Sequence, residues 1–546
     1  MSRLSKAAKA VRENEKLRAS EIVTNFMGGD SYKLDPLMTL RIVASSSIFG
    51  EPSYYRSNVK EKEFHYTPLA SSPDPLERIM SKIYDGKTTT QIFTETIDAA
   101  LDFDFEGTLK LAVELRSFYN MRLNPQVIMV RASIHPKRTE WTQKNPGKFT
   151  EYEDKVMSRA DEPLTQLAYF IALNKGKSKM PTILKKSVAK KLGSLNLYEV
   201  NKYKNHEIGM INAVRLVHAN SPIIDELMKT GKVAVPDEKK TWEQMKSDGK
   251  SWREILSTIK LGHMALLRNL RNIFTDIDDL DLCKSLLTVL KAGVLEGKQF
   301  PFRYWSAYKA ISSAEDLHHK PQILDALEEC IDISVANMPK FSGKTMCLSD
   351  NSGSAWGTIP TEYGSVTIAE IDNLSSIITA ACSDEGTVGK FGDRLIEFPV
   401  SKRNGILTQL KEITKELHSD VGGGTENGIW LFFKDAIAKK KVYDNVVIYS
   451  DMQAGTGQLY GEFPREYADF SIHGGRYINV YKLILEYRKK VNPKCNFYCC
   501  QTSGYNNVLV PQMSYRTAIL SGWTGRESEF MKAYGDIWDY IDKNGN

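Results

Sequence analysis

The chain has little cysteine, no long apolar stretch and no dominant charge. Its seven cysteines (Cys283, Cys330, Cys347, Cys382, Cys495, Cys499 and Cys500) are odd in number and mostly lie inside apolar runs. No disulfide framework is therefore implied, and reduced thiols are expected. No apolar run reaches the roughly 18 residues that suggest a membrane span. The opening MSRLSKAAKAVRENEK has no apolar segment behind its charges, which predicts no secretory signal and a cytoplasmic protein. What is present is the balance of a soluble globular protein, 42% apolar and 26% charged, and 546 residues exceed one ordinary core.

The net charge of +6 hides an asymmetry. From Lys344 onward there are 22 Lys and Arg against 24 Asp and Glu, so the basic surplus is N-terminal. Within it, Asn174 to Lys204 holds nine lysines and a single acid, Glu199. Composition alone reads such a run either as a solvated face or as a polyanion site.

Two grammars divide the chain. From about 20 to 335 the apolar positions follow helical spacing: Leu109, Ala112, Val113, Leu115, Phe118 and Tyr119 fall at i, i+3, i+4, and Asn124-Pro125 ends the run before another apolar helix begins. The pattern returns in PTILKKSVAKKLGSL, HEIGMINAVRLVHANSP and LGHMALLRNLRNI, which predicts stacked helical hairpins, an α-solenoid of the HEAT type. After about Pro339, apolar strands alternate with helices: KTMCLSD, KFGDRLIEFPV, NVVIYSD, CNFYCCQTS and RTAILSG. Repeated βαβ units predict a doubly wound, mostly parallel sheet, with ligands beyond the carboxyl ends of its strands. The expected fold is thus α plus α/β, with a helical-repeat domain over 20–340 and a sheet domain over 341–546.

One constellation falls on such a rim. Asp350 ends one strand and is followed by Ser352 and Ser354, Asp451 ends another, and Thr425 follows three glycines at a helix start. All five offer oxygen only, a donor set that selects Mg²⁺, with Mn²⁺ or Ca²⁺ as alternatives, over zinc or copper. Two carboxylates balance the cation while hydroxyls add no charge, so an outside acidic ligand could complete it. The alternative is a relic site whose oxygens bond only to backbone or water. CNFYCC has no accompanying cysteine or histidine pair, which favours packing over zinc.

The D-x-S-x-S spacing with a later Thr and Asp resembles the metal-ion-dependent adhesion site (MIDAS) of von Willebrand factor A domains. Residues 25–56, 105–132, 184–204 and 264–272 resemble the TROVE module, and the two halves together resemble the Ro autoantigen family and its bacterial relatives. That resemblance implies a ring of helical repeats around a basic hole. The hole would take single-stranded 3′ ends of misfolded noncoding RNA, the outer surface small structured Y-type RNA, and an exoribonuclease would be engaged through RNA. It places Lys202 and His218 at RNA-contacting positions, with His206 where other members carry arginine, a departure because histidine cannot reproduce the guanidinium fork. Lys185, Lys186, Lys190 and Lys191 gather charge on roughly one helix side, and Arg268 and Arg271 share a face that either pairs with buried acids or points into the ring. Tyr198 and Tyr203 either stack on unpaired bases or pack. Three functions compete: an RNA-binding quality-control factor, a metal-dependent phosphoesterase, and a scaffold that captures an acidic ligand at the cation. No histidine or lysine near the five oxygen donors offers a general base, so no enzyme is expected.

Overall fold

The computed structural model describes residues 22–24, 30–45, 89–119, 121–174, 179–203, 208–231, 233, 240–361, 364–414, 420–454, 465–470, 477–503, 507–511, 514–521 and 527–544. The first elements are two short antiparallel strands, β1 (Ile22–Thr24) and β2 (Asp30–Lys33). Helices follow from Pro36 to Ser334, as the periodicity predicts. Pro125 lies in the first turn of helix Asn124–Ile134, where its missing N–H costs nothing. Ser221, Thr241, Ser251 and Asp279 each cap a helix with a side-chain oxygen, which explains why the array breaks where it does.

The array divides into two cores. Helices from Pro36 to Thr230 share one, including Leu109, Leu115, Val127, Leu164, Val188 and Val214. Helices from Trp242 to Ser334 share the second, including Leu270, Phe274, Leu290, Leu327 and Ile331. Lys202 and Glu243 link the blocks by an ion pair of 3.4 Å.

The C-terminal half holds β3 (Phe341–Asp350), β4 (Thr358–Thr361), β5 (Gly364–Thr367), β6 (Ser383–Phe391), β7 (Leu395–Pro399), β8 (Asn445–Ser450), β9 (Asn496–Gln501), β10 (Asn507–Val508) and β11 (Thr517–Ser521). Six of them form one sheet in the order β11-β9-β8-β3-β6-β7, parallel throughout except for β7 at the edge. The first crossover, from β3 to β6, goes to one side; β8 and β9 then build on the other. The order therefore reverses between β3 and β8, the place where doubly wound sheets bind ligands.

Three features depart from expectation. KFGDRLIEFPV is not one strand: it turns at Gly392-Asp393-Arg394 and returns antiparallel as β7. β4 and β5 form a separate antiparallel hairpin ahead of the first crossover helix. The stretch expected to be helical throughout begins with strands, and β2 pairs with β10, joining residues 30–33 to the C-terminal half. Tyr32 reinforces this junction through its hydroxyl contact with Asn479 and its edge-on packing against Tyr481.

Helix Ile368–Ala381 positions the rest. Its residues Ile368, Ala369 and Ile371 enter the core of the N-terminal helices, whereas Leu374, Ile377 and Ile378 enter that of the second block. Each fully buried Ile or Leu stabilises this junction by about 1.5–3 kcal/mol. Packing therefore joins the sheet domain to both helical blocks, while the Lys202–Glu243 ion pair links the blocks to each other. No described helix is long and apolar enough to cross a membrane, and all seven cysteines are buried and free. Burial pushes the Cys499 thiol up to about 12, so on β9 it packs as a neutral side chain.

Candidate metal centre and RNA-binding surface

β3 and β8 are hydrogen-bonded neighbours, which brings Asp350 and Asp451 out at the same rim. Both are fully buried. The Ser450 hydroxyl donates to Asp350 Oδ2 at 2.5 Å, and the Ser352 N–H donates to Asp350 Oδ1 at 2.9 Å. Ser354 donates through its hydroxyl to Asp451 Oδ2, and the Gln453 N–H donates to Asp451 Oδ1 at 3.0 Å. The Ser352 and Ser354 hydroxyls are 3.5 Å apart. Four of the five expected oxygen donors are therefore joined by direct bonds.

The loop that carries Thr425 docks against the serine loop. The Gly353 N–H donates to the Gly423 carbonyl at 3.1 Å, laying the glycine loop against the serine loop. Asp393 fixes that loop from outside, accepting from the N–H groups of Gly423 at 2.9 Å and Gly424 at 3.0 Å. Here lies the reason for the turn inside KFGDRLIEFPV: it brings Asp393 to the loop that carries Thr425. Gly422 adopts φ of 82°, a conformation suited to glycine. Thr425 occupies the cap position of helix Glu426–Ala438 without committing its hydroxyl to a capping bond, and it is buried.

Burial raises the pKa of Asp350, and burial together with the Asp350 charge lifts Asp451 to about 7. Two enclosed carboxylates side by side oppose each other's ionisation, and a bound divalent cation would reverse that. Asp372, on helix Ile368–Ala381, is a third acid in the same neighbourhood. It is fully buried, with the Thr502 hydroxyl beside it. Burial raises its pKa well above the usual range, with further contributions from Asp350 and Asp451, while the nearby Thr502 hydroxyl opposes them. Sequence reasoning missed Asp372, Asp393 and Ser450. Among the described residues no group of three or more His, Cys, Asp or Glu side chains is arranged to hold a metal ion, so the donor set consists of two carboxylates and hydroxyls. That set fits a hard divalent cation.

The basic residues separate into free and engaged cations. On helix Thr182–Gly193, Leu184, Ser187, Val188 and Leu192 face the core. Lys186 and Lys190 are exposed and Lys185 half-buried, but Lys191 lies beside the buried flank with Nζ 3.3 Å from the Ser158 carbonyl. The four lysines therefore do not act as one face: a step of five residues from Lys186 to Lys191 turns the chain past the exposed arc. Lys190 pairs with Asp154 at 2.5 Å. Lys202 sits between Tyr198 and Tyr203, 5.6 and 5.7 Å from their ring centroids, in addition to its pairing with Glu243. Tyr203 also accepts from Arg159 at 3.0 Å, so it is held in the fold, whereas Tyr198 is exposed.

Arg268 and Arg271 are both exposed on helix His263–Asp276, and neither makes an ion pair among the described residues. The alternative of buried pairing with acids is thereby excluded. His218 is exposed at a helix end with φ of 59°, its backbone N–H bonded to the Val214 carbonyl at 2.7 Å. His206 lies outside the described residues.

A helical-repeat array joined to a doubly wound, mostly parallel sheet domain, with oxygen donors gathered on the sheet's rim, defines the architecture. No protein-family model matches the chain, and no curated protein matches it in sequence. Its fold does match the crystal structure of the Ro (RSR) protein of Deinococcus radiodurans, over 92% of this chain and 99% of that chain, with a TM-score of 0.59 at 13% identity. The likeness spans both halves and supports the Ro resemblance; at this identity the shared property is the fold.

Proposed function

We propose that the chain is a Ro-like RNA-binding protein of noncoding-RNA quality control. The observation that carries this reading is the full-length fold likeness to a Ro protein, which extends over the helical array and the sheet domain together. In this reading, single-stranded 3′ ends of misfolded RNA enter the ring of helices, and structured Y-type RNA binds its outer surface. Lys185, Lys186, Arg268 and Arg271, which have no acidic partner among the described residues, supply the phosphate contacts. Lys190, Lys191, Lys202, His206 and His218 add further contacts, and an exoribonuclease is recruited through the bound RNA in the cytoplasm. The protein performs no chemistry of its own. Asp350, Ser352, Ser354, Thr425 and Asp451 hold a divalent cation, Mg²⁺ foremost, as an electrostatic tie between the ends of β3 and β8.

Filter binding of a hairpin with a single-stranded 3′ tail, measured over a salt series, tests the reading. RNA binding gives a steep negative slope of log affinity against log salt. A flat response would leave the acidic-ligand scaffold in its place, and RNA shortening that a chelator prevents would make the protein a nuclease.

A further inference from the structure

Lys390 stands one residue before the rim end of β6, and its side chain is fully buried. The register sets it opposite Ser349 on β3, the residue before Asp350. Its Nζ pairs with Asp420 Oδ2 at 2.7 Å. Asp420 begins the stretch that runs through the three glycines to Thr425, and the rest of that stretch is bonded to the turn after Lys390. The Arg394 N–H donates to the Val421 carbonyl at 2.9 Å, Asp393 accepts from Gly423 and Gly424, and the Gly428 N–H donates to the Gly392 carbonyl at 2.9 Å. The approach is so close that a Cβ at Gly392 would collide with the Gly422 carbonyl oxygen. The same turn holds the serine side of the site, because the Phe391 carbonyl accepts from the Asn351 N–H at 2.8 Å. Residues 390–394 therefore grip the chain on both sides of Thr425, and also the residue after Asp350.

Most of these ties use backbone groups that any sequence supplies. The Lys390–Asp420 pair is different. A buried ion pair often stabilises a fold no more than apolar side chains of similar volume would. What this pair adds is position, since a lysine rooted in a strand bonded on both edges gives Asp420 a fixed anchor. Position matters most for Thr425: Asp350 and Asp451 sit at strand ends, whereas Thr425 follows three glycines, whose backbone has the most freedom to lose. A neutral hydroxyl on such a loop helps a cation only where the loop is already held. Mg²⁺ makes the stricter demand, near-ideal octahedral oxygens at about 2.0–2.1 Å, whereas Ca²⁺ accepts about six to eight oxygens in flexible geometry. Resting on the cation reading above, we propose that Lys390 and Asp420 are positioning residues of the metal centre: their buried ion pair sets where the loop presents Thr425 and thereby favours Mg²⁺ over Ca²⁺. They act through the loop and not as ligands.

The test is calorimetric titration of the full-length protein with MgCl₂ and with CaCl₂, together with Tm in chelator. It compares wild type, Thr425→Val, the double variant Lys390→Met with Asp420→Leu, and the three changes combined. The apolar double variant removes one charge of each sign, so the net charge near the site is unchanged. Loss of a group that orients a metal ligand typically lowers affinity by about 10–100-fold. The double variant is expected to keep its Tm in chelator, to lose about tenfold or more in Mg²⁺ affinity and to lose clearly less in Ca²⁺ affinity. In the Thr425→Val background the same double change should alter Mg²⁺ affinity less than about twofold, because the residue it positions is gone. If the double variant does not fold, Asp420→Asn is read in the same way. A lower Tm in chelator with unchanged Mg²⁺ affinity would make the pair merely structural and overturn the inference, leaving the five-residue site standing. Equal losses for Mg²⁺ and Ca²⁺, or an undiminished loss in the Thr425→Val background, would overturn it as well. Absence of any metal response in wild type would overturn both this inference and the cation reading.

Discussion

Trp356 donates its indole Nε1–H to the Asn351 carbonyl at 3.1 Å, while its ring packs against the core of the N-terminal helices. One side chain thereby closes the loop bearing Ser352 and Ser354 and fastens it to the helical array. Trp356→Phe keeps most of the apolar packing and removes the donor. It should lower Mg²⁺ affinity severalfold with a smaller change in metal-free Tm; calorimetric affinity equal to wild type would show that the bond does not order the loop.

Asp350→Ala should abolish the rise in Tm that Mg²⁺ or Mn²⁺ produces and leave RNA affinity unchanged. At a cation concentration 100 times its Kd, that rise corresponds to about 2.7 kcal/mol in the wild type. A variant that still responds fully to the metal would remove Asp350 from the ligand set.

The lysine run divides by its partners. Replacing Lys185 and Lys186 with Ala should reduce RNA affinity and flatten the salt slope by roughly 0.7 for each phosphate of single-stranded RNA that is no longer neutralised. Replacing Lys190 and Lys191, which already hold Asp154 and the Ser158 carbonyl, should change the slope less. The opposite ranking in filter binding would place the RNA on the other side of this helix.

Arg268→Gln with Arg271→Gln removes two exposed cations that make no ion pair among the described residues. Stability should stay within about 0.5 kcal/mol of wild type, while affinity for the tailed hairpin falls. Unchanged affinity would assign the pair to solvation.

Glu153 supplies a pH signature of the helical half. It is fully buried and accepts from Gln166 at 2.9 Å; burial lifts its carboxyl to about 7. Between its unfolded value near 4.5 and about 7, the folded chain holds a proton that the unfolded chain releases. This group therefore lowers stability progressively as pH rises through that window. Glu153→Gln should be more stable than wild type at pH 8, by roughly 2–3 kcal/mol, and the difference should close near pH 4.5. Denaturant titrations at both pH values check the sign.

The division into a helical and a sheet-bearing half was readable because each carries its own hydrophobic period over many elements. Asp350 and Asp451 were readable for the same reason: each closes an apolar run, and parallel pairing puts such ends on one rim. Thr425 was found through its glycines. Asp372 was hidden, since an acid two residues after Glu370, in a helix that also carries Asn373, Ser375, Ser376 and Thr379, looks like an exposed position. The signal that could have found it is the complete lack of Lys and Arg in IAEIDNLSSIITAA, which leaves the acid no basic partner within a helical turn. β1, β2 and β10 were unreadable because strands of two to four residues have too few positions to show alternation. The facing directions of Lys191, Arg268 and Arg271 depended on the core beneath each helix, which local spacing does not specify.

The pairing of β2 with β10 has a practical corollary for anyone wishing to dissect the protein. A fragment starting after Lys33 would strip a strand from Val508 and leave Asn479 and Tyr481 without Tyr32. A fragment ending before Phe341 would uncover Ile368 and Ile371's partners among the first helices. Neither scissor cut yields a clean module, so RNA and cation functions are best assigned by single replacements in the intact polypeptide.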